Sequence, residues 1–280
     1  MLYGKIIKSL AGFYDIKTKD GTVYRTRGSG KLRLLDIKPT VGDWVDFIPD
    51  GLIHKIYERK NLFIRPKIAN VDQAIVVMSL VEPEFSYSLI DKFLMIIEAK
   101  SVEPVIVLTK KDLTNDSKIH FYKKQGYTVF EIDYSQPISF EGLENIFKDK
   151  TSFFVGQTGV GKTTLINHLA KTNFETQAIS KALNRGKHTT REVSLINFNG
   201  GEIIDTPGFS SIEFDITYED MPIAFKTFRE NAVKCKFRSC FHNHESVKDC
   251  EIKRLVEQGI IKKERYENYL NFLNQAKENK

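Results

Sequence analysis

No apolar run in this 280-residue sequence is long enough to cross a membrane. The longest, AIVVMSLV at Ala74–Val81, falls far short of the roughly 20 residues a spanning helix needs and suits a strand buried on both faces. The opening stretch, MLYGKIIKSLAGFYDIKTKDG, sets lysines among its apolar residues and lacks a small-residue cleavage site, unlike a secretory signal. A cytoplasmic protein with no membrane attachment is therefore expected. Cysteine is scarce, and the three present, Cys235, Cys240 and Cys250, crowd into one segment with His242 and His244. An odd number beside histidines argues against a disulfide framework and for a metal. The sequence also lacks internal repeats and low-complexity linkers, and nothing in it demands more than a monomer.

Positive charge is in excess, at a formal +6 with a pI near 9.0. That balance suits a polyanionic partner, of which nucleic acid is the commonest. The chain is long enough for one large domain or two to three small ones, and its texture changes twice. Residues 1–66 carry short alternating runs broken by Gly, Asp and Pro, among them KLRLLDIKP, and predict an OB-like barrel of about five strands. Arg25, Arg27, Lys31 and Arg33 gather around Gly28 and Gly30 beside Tyr24, which is either an RNA-facing patch or a solvated hairpin. Trp44, the lone tryptophan, is expected in the barrel core. Residues 67–214 alternate strands with helices, including FEGLENIFKD as a helix, and predict a mostly parallel α/β sheet. Residues 215–280 are helical and polar around the cysteines. The closing helix sets Tyr266, Tyr269, Leu270 and Leu273 on one stripe, suited to packing between domains.

The chemistry is concentrated in four segments. Gly156, Gln157, Thr158, Gly159, Val160, Gly161, Lys162, Thr163 and Thr164 follow the apolar strand SFFVG and open a helix, the context that makes a phosphate loop. There, backbone N–H groups wrap phosphates at the helix amino terminus, Lys162 neutralises them, and the Thr163 hydroxyl ligates magnesium. Downstream, IIDTPGF ends a strand at Asp205, a magnesium-directed acid, with Gly208 leaving its amide room to approach a γ-phosphate. Between them, Thr189 and Thr190 supply hydroxyls, Thr190 being the expected magnesium ligand. Thr109, Lys110, Lys111 and Asp112 follow the strand PVIVL as a base reader. The Asp112 carboxylate accepts from the N1 and N2 edge of guanine, while Lys110 lies along the base plane.

The base reader here precedes the phosphate loop, the reverse of the usual GTPase order. Nucleotide sites in doubly wound sheets lie at the carboxyl ends of strands, so the position of each strand matters and chain order does not. A circular permutation is the expected explanation. The residue after the Asp205–Gly208 turn is Phe209, where many GTPases carry a water-orienting glutamine, so slow unaided hydrolysis is expected.

Taken together, RGSGKLR, VGDWV, IRPKIANVDQAIVV, LIDKFL, TKKDL, GQTGVGKTTLINHL, GKHTTREV, IDTPGF and CKFRSCFHNHE resemble the circularly permuted GTPases of the RsgA type, which act in small ribosomal subunit assembly. The resemblance spans nearly the whole chain. It implies an OB-fold, a permuted GTPase and a zinc domain that bind the small subunit and its rRNA and hydrolyse GTP to GDP in response. It favours His242 over His244 as the fourth zinc ligand beside Cys235, Cys240 and Cys250, a closed structural site. It also makes His188 the candidate for positioning the attacking water. Thr109 departs from the more usual asparagine, and ESVKDC lengthens the usual approach to the last cysteine. The competing readings are an RNA-binding scaffold that holds nucleotide without turnover, and an ATP-dependent enzyme.

Overall fold

The computed structural model describes residues 1–34, 37–172, 193–205 and 212–278. Five strands, β1 (Leu2–Leu10), β2 (Phe13–Thr18), β3 (Val23–Gly28), β4 (Trp44–Phe47) and β5 (Leu52–Ile56), pair in the order β1-β2-β3-β5-β4, and β4 returns to β1 to close a barrel. Alternation fills it: Ile6, Ile16, Val45, Phe47 and Ile53 all point inward and are fully buried. The same alternation corrects the expectation for Trp44. With Val45 and Phe47 inside, Trp44 must face out, and it lies on the surface stacked against Tyr3 at 5.2 Å. KLRLLDIKP is corrected as well, since Gly30–Leu34 forms a short helix, α1, whose first turn is capped by the Ser29 hydroxyl on the Leu32 amide.

Beyond a small hairpin of β6 (Leu62–Phe63) and β7 (Ile68–Ala69), the chain builds a sheet from β8 (Gln73–Ser79), β9 (Glu103–Thr109), β10 (Thr128–Glu131), β11 (Thr151–Val155), β12 (Val193–Phe198) and β13 (Gly201–Asp205). Their order is β10-β9-β8-β11-β13-β12, parallel except for β12. Every residue of β8 is buried, as its unbroken apolar run requires. Ala74, Val76 and Met78 face α2 (Tyr87–Ala99), while Ile75 and Val77 face α4 (Lys162–Thr172), so both sides of the sheet carry core. A further helix, α3 (Ile119–Lys124), stops just ahead of Gly126, which takes a left-handed φ of 85°. FEGLENIFKD is not an α-helix. Gly142 takes a left-handed φ of 79°, which splits the segment into two 3-10 turns, Pro137–Phe140 and Glu144–Phe147.

Barrel and sheet are continuous, because β1 also pairs with β12 through Lys8 with Ser194 and Ser9 with Val193. The carboxy-terminal region adds α5 (Lys226–Ala232), α6 (Glu251–Glu257) and α7 (Lys263–Glu278). Tyr269 and Leu273 of α7 are buried, and Arg265 of the same helix makes a buried ion pair with Asp91 of α2 at 2.9 Å. The closing helix is thereby fixed to the sheet domain.

Candidate nucleotide site and metal centre

The loop from β11 to α4 wraps tightly because its glycines allow it. Gly156 has φ 153°, and a Cβ there would come within 2.1 Å of the Val77 carbonyl oxygen, so no other residue fits. Gly161 has φ 91° and leads directly into Lys162, the first residue of α4. Val160 is buried and anchors the loop, whereas Thr163 and Thr164 are exposed at the helix start. The Lys162 ammonium folds back onto the carbonyls of Gly156 and Gln157. Burial pushes its pKa down to about 8. Backbone N–H groups at a helix amino terminus beside an ammonium can hold a polyphosphate.

Two strands away in the sheet, β9 delivers the base-reader loop to the same edge. Thr109 is fully buried, and its hydroxyl donates to the Val160 carbonyl at 2.6 Å. The supposed departure from asparagine therefore ties the base-reader loop to the phosphate loop. Lys110 takes a left-handed φ of 60° and its ammonium reaches the Glu82 carbonyl. Asp112 lies in an exposed 3-10 turn, Lys111–Leu113. Lys111 differs from its neighbours. Its ammonium donates to the carbonyls of Thr114 and Asp116, and its N–H to Ile132, so it braces the loop.

Asp205 closes β13, paired with Ser194. Its side chain, together with His188, Thr189, Thr190, Gly208 and Phe209, lies outside the described residues.

The cysteines converge. Cys235, Cys240, Cys250 and His242 bring their donor atoms within 4.8 Å of one another, while His244 stays on the surface. The His242 Nδ1 lies 3.7, 3.2 and 3.4 Å from the sulfurs of Cys235, Cys240 and Cys250. Tetrahedral coordination by thiolates and an imidazole requires sulfur to nitrogen spacings of roughly 3.5 Å, so the donor set fits a metal ion. The other ring nitrogen, Nε2–H, donates to the Pro222 carbonyl at 3.2 Å, which leaves the Nδ1 lone pair facing the sulfurs. Four protein donors would fill a tetrahedral shell and leave no open position, as in a structural site. Two α7 phenols secure the loop from behind: Tyr266 donates to the His242 carbonyl at 2.6 Å and Tyr269 to the Phe241 carbonyl at 2.7 Å. Their stripe had been readable only as packing, because periodicity carries no sign of where a hydroxyl ends.

Comparison with known proteins agrees with this architecture. Residues 56–215 match the RsgA GTPase family and residues 3–52 match the RsgA N-terminal domain. A relative from Mycoplasmopsis pulmonis, called small ribosomal subunit biogenesis GTPase RsgA, is 48% identical over 99% of this chain and 100% of its own. One of the same name from Streptococcus pneumoniae is 46% identical over 98% of this chain and 94% of its own. Among solved structures, YloQ, described as a circularly permuted GTPase, superposes with a TM-score of 0.77 at 38% identity, covering 100% of this chain and 96% of that one. YjeQ from Thermotoga maritima gives 0.78 at 32% identity, with 98% of each chain covered. With its TKKD segment ahead of its glycine-rich loop on one sheet edge, the chain belongs to the RsgA GTPase family and is a circularly permuted GTPase.

Proposed function

We propose that this protein acts in late maturation of the small ribosomal subunit, hydrolysing GTP when it docks there. The observation that carries the reading is the Thr109 to Val160 hydrogen bond, which supports treating the base-reader and phosphate loops as one site on a permuted sheet. Asp112 reads the guanine edge with Lys110 beside the base. Residues 156–164 wrap the phosphates, and Lys162 exchanges its two carbonyl contacts for phosphate oxygens. Magnesium would be held by Thr163, Thr190 and Asp205 and would neutralise charge on the transferring phosphoryl group. His188 positions the attacking water, Gly208 meets the γ-phosphate, and Thr109 and Lys111 hold the base-reader loop in shape.

Zinc is the metal that suits three thiolates and a neutral imidazole in a closed tetrahedron. Held by Cys235, Cys240, His242 and Cys250, it would cross-link the loop that leads into α6. The working division is barrel 1–66, permuted GTPase 67–214 and zinc domain 215–280. An rRNA partner is supported by the positive net charge and by exposed aromatics on the barrel, where Tyr3 stacks on Trp44 and the Arg27 guanidinium covers Phe13 at 4.4 Å. Among the other patch residues, Arg25 is exposed but paired with Asp15 at 2.8 Å, and Tyr24 packs on Phe47. The side chains of Lys31 and Arg33 lie outside the described residues. No described helix is long and apolar enough to cross a membrane.

Co-sedimentation with purified small subunits tests the docking. Binding with a non-hydrolysable GTP analogue and release with GDP is expected. Equal binding in both states would contradict nucleotide control.

A further inference from the structure

We propose that Tyr134 is a wall of the guanine pocket, its ring holding the base in register with Asp112 and its hydroxyl tying that wall to the phosphate loop. The inference rests on the reading of Asp112 as the guanine-selecting carboxylate and adds a residue to that site.

Three neighbouring loops open on one edge of the sheet, because β9, β10 and β11 all run in the same direction. Two of them are the base reader after β9 and the phosphate loop after β11. The loop after β10 is stitched to the base reader by backbone bonds in both directions: the Ile132 N–H donates to Leu108 at 2.7 Å, and the Lys111 N–H donates to Ile132 at 3.1 Å. Asp133 fixes the turn that follows by accepting from the Ser135 N–H at 2.8 Å. Between them stands Tyr134, half-buried, with its hydroxyl 3.5 Å from the Gly161 carbonyl. A Cβ added to Gly161 would lie 3.5 Å from that hydroxyl and 3.8 Å from the Thr109 hydroxyl, so Tyr134, Thr109 and the phosphate loop meet at one point. Phe140 and His168 hold the ring, with centroids 5.8 and 6.4 Å away.

Burial and the nearby Asp112 charge push the phenol up to about 12, so the hydroxyl remains a donor at neutral pH. A nucleotide whose phosphates lie on residues 156–164 and whose base lies on Asp112 must pass this ring. A planar, half-buried aromatic beside the hydrogen-bonding edge of a purine suits a stacking wall.

The test compares dissociation constants for GDP and inosine diphosphate, which lacks the exocyclic amine and so loses one of the two bonds to Asp112. A ring that keeps the base in register sharpens that difference, whereas mere support of the phosphate loop strengthens both nucleotides alike. Tyr134→Leu and Tyr134→Ala are expected to lower the GDP preference at least about fivefold, and Tyr134→Phe to keep it within about twofold. Equal weakening of both nucleotides, or no change, would overturn the proposal. Fluorotyrosine labelling of the otherwise unaltered protein gives a second readout that needs no altered pocket. With the signal assigned by Y134F, addition of GDP is expected to shift the Tyr134 resonance, and an unmoved signal would overturn the proposal. Asp112→Asn separates the two readings, since its amide donates to the 2-oxo group of xanthine. If D112N does not move preference from GDP to xanthosine diphosphate, the guanine reading fails whatever Tyr134 does.

Discussion

Thr109 is small, uncharged and fully buried, yet it sits where two loops distant in sequence meet. Replacing it with valine keeps the volume, removes the hydroxyl and leaves the Val160 carbonyl without its donor. The expected cost of T109V is about 1–3 kcal/mol, read as a lower denaturation midpoint and weaker GDP binding, because an unmade buried hydrogen bond costs its desolvation. Unchanged stability and affinity would remove Thr109 from the site. Lys162 gives a pH prediction. Its free-state pKa of about 8 means that it loses its proton as pH rises through that value, whereas bound phosphates favour the ammonium. GDP affinity is therefore expected to fall above pH 8, approaching about tenfold per unit, in titrations from pH 7 to 9.5. The folding sign is opposite. A base whose folded pKa lies below its unfolded value destabilises the charged native state, so the free protein gains stability from this group as pH rises from about 8 toward the ordinary lysine range.

At the scale of elements, a buried polar network joins α2, α5 and α7. Glu98 accepts from the Lys226 N–H at 2.7 Å, Asp91 accepts from Arg265, and Arg265 also donates to the Tyr127 hydroxyl. Burial outweighs these favourable contacts for Glu98 and raises its pKa. The folded state thus holds that proton more tightly than the unfolded one, and stability from this group falls as pH rises out of the ordinary carboxylate range. Glu98→Gln keeps an acceptor for Lys226 and removes the charge. It is expected to match or exceed the parent in stability at pH 7, with the difference shrinking as pH falls toward 4.5, as urea unfolding at several pH values would show. A large loss at pH 7 would mean that the charge itself holds α5. Metal removal acts on the same region, where the tyrosines of α7 rest on the cysteine loop. A strong chelator is expected to lower the melting temperature by several degrees while leaving GDP affinity within about twofold. No thermal effect would argue against a structural metal.

Elements differed in how far the sequence disclosed them. The buried run of β8 was legible, since it rests on local pattern. Trp44 was misplaced because hydrophobicity alone ignores the alternation set by Val45 and Phe47. The FEGLENIF segment has helical composition, but the backbone at Gly142 decides its geometry. Motif spacing disclosed the phosphate loop and the cysteines. The Thr109 and Tyr134 contacts depend on which strands neighbour one another, and spacing does not encode that.

Across the whole molecule, permutation sets what the nucleotide edge is connected to. On one side β12 pairs with both β13 and β1, so the strand facing Asp205 also belongs to the edge of the barrel. On the other, the chain from Ile212 runs along the junction hairpin, where the Glu213 N–H donates to the Arg65 carbonyl at 3.2 Å. Asp215 then pairs with Lys100 at 2.7 Å as the chain enters the carboxy-terminal region. The barrel and the cysteine-bearing region are thus joined to the strand beside Asp205 and to the chain from Ile212 onward. A partner that grips both is placed to act on the nucleotide edge, which suits a GTPase with phenylalanine at position 209. The most direct test is the GTP hydrolysis rate of the metal-loaded protein with and without purified small ribosomal subunits. Hydrolysis that is slow alone and accelerated at least about tenfold by small subunits is expected. The same rate in both, with GTP binding intact, would contradict a subunit-activated GTPase.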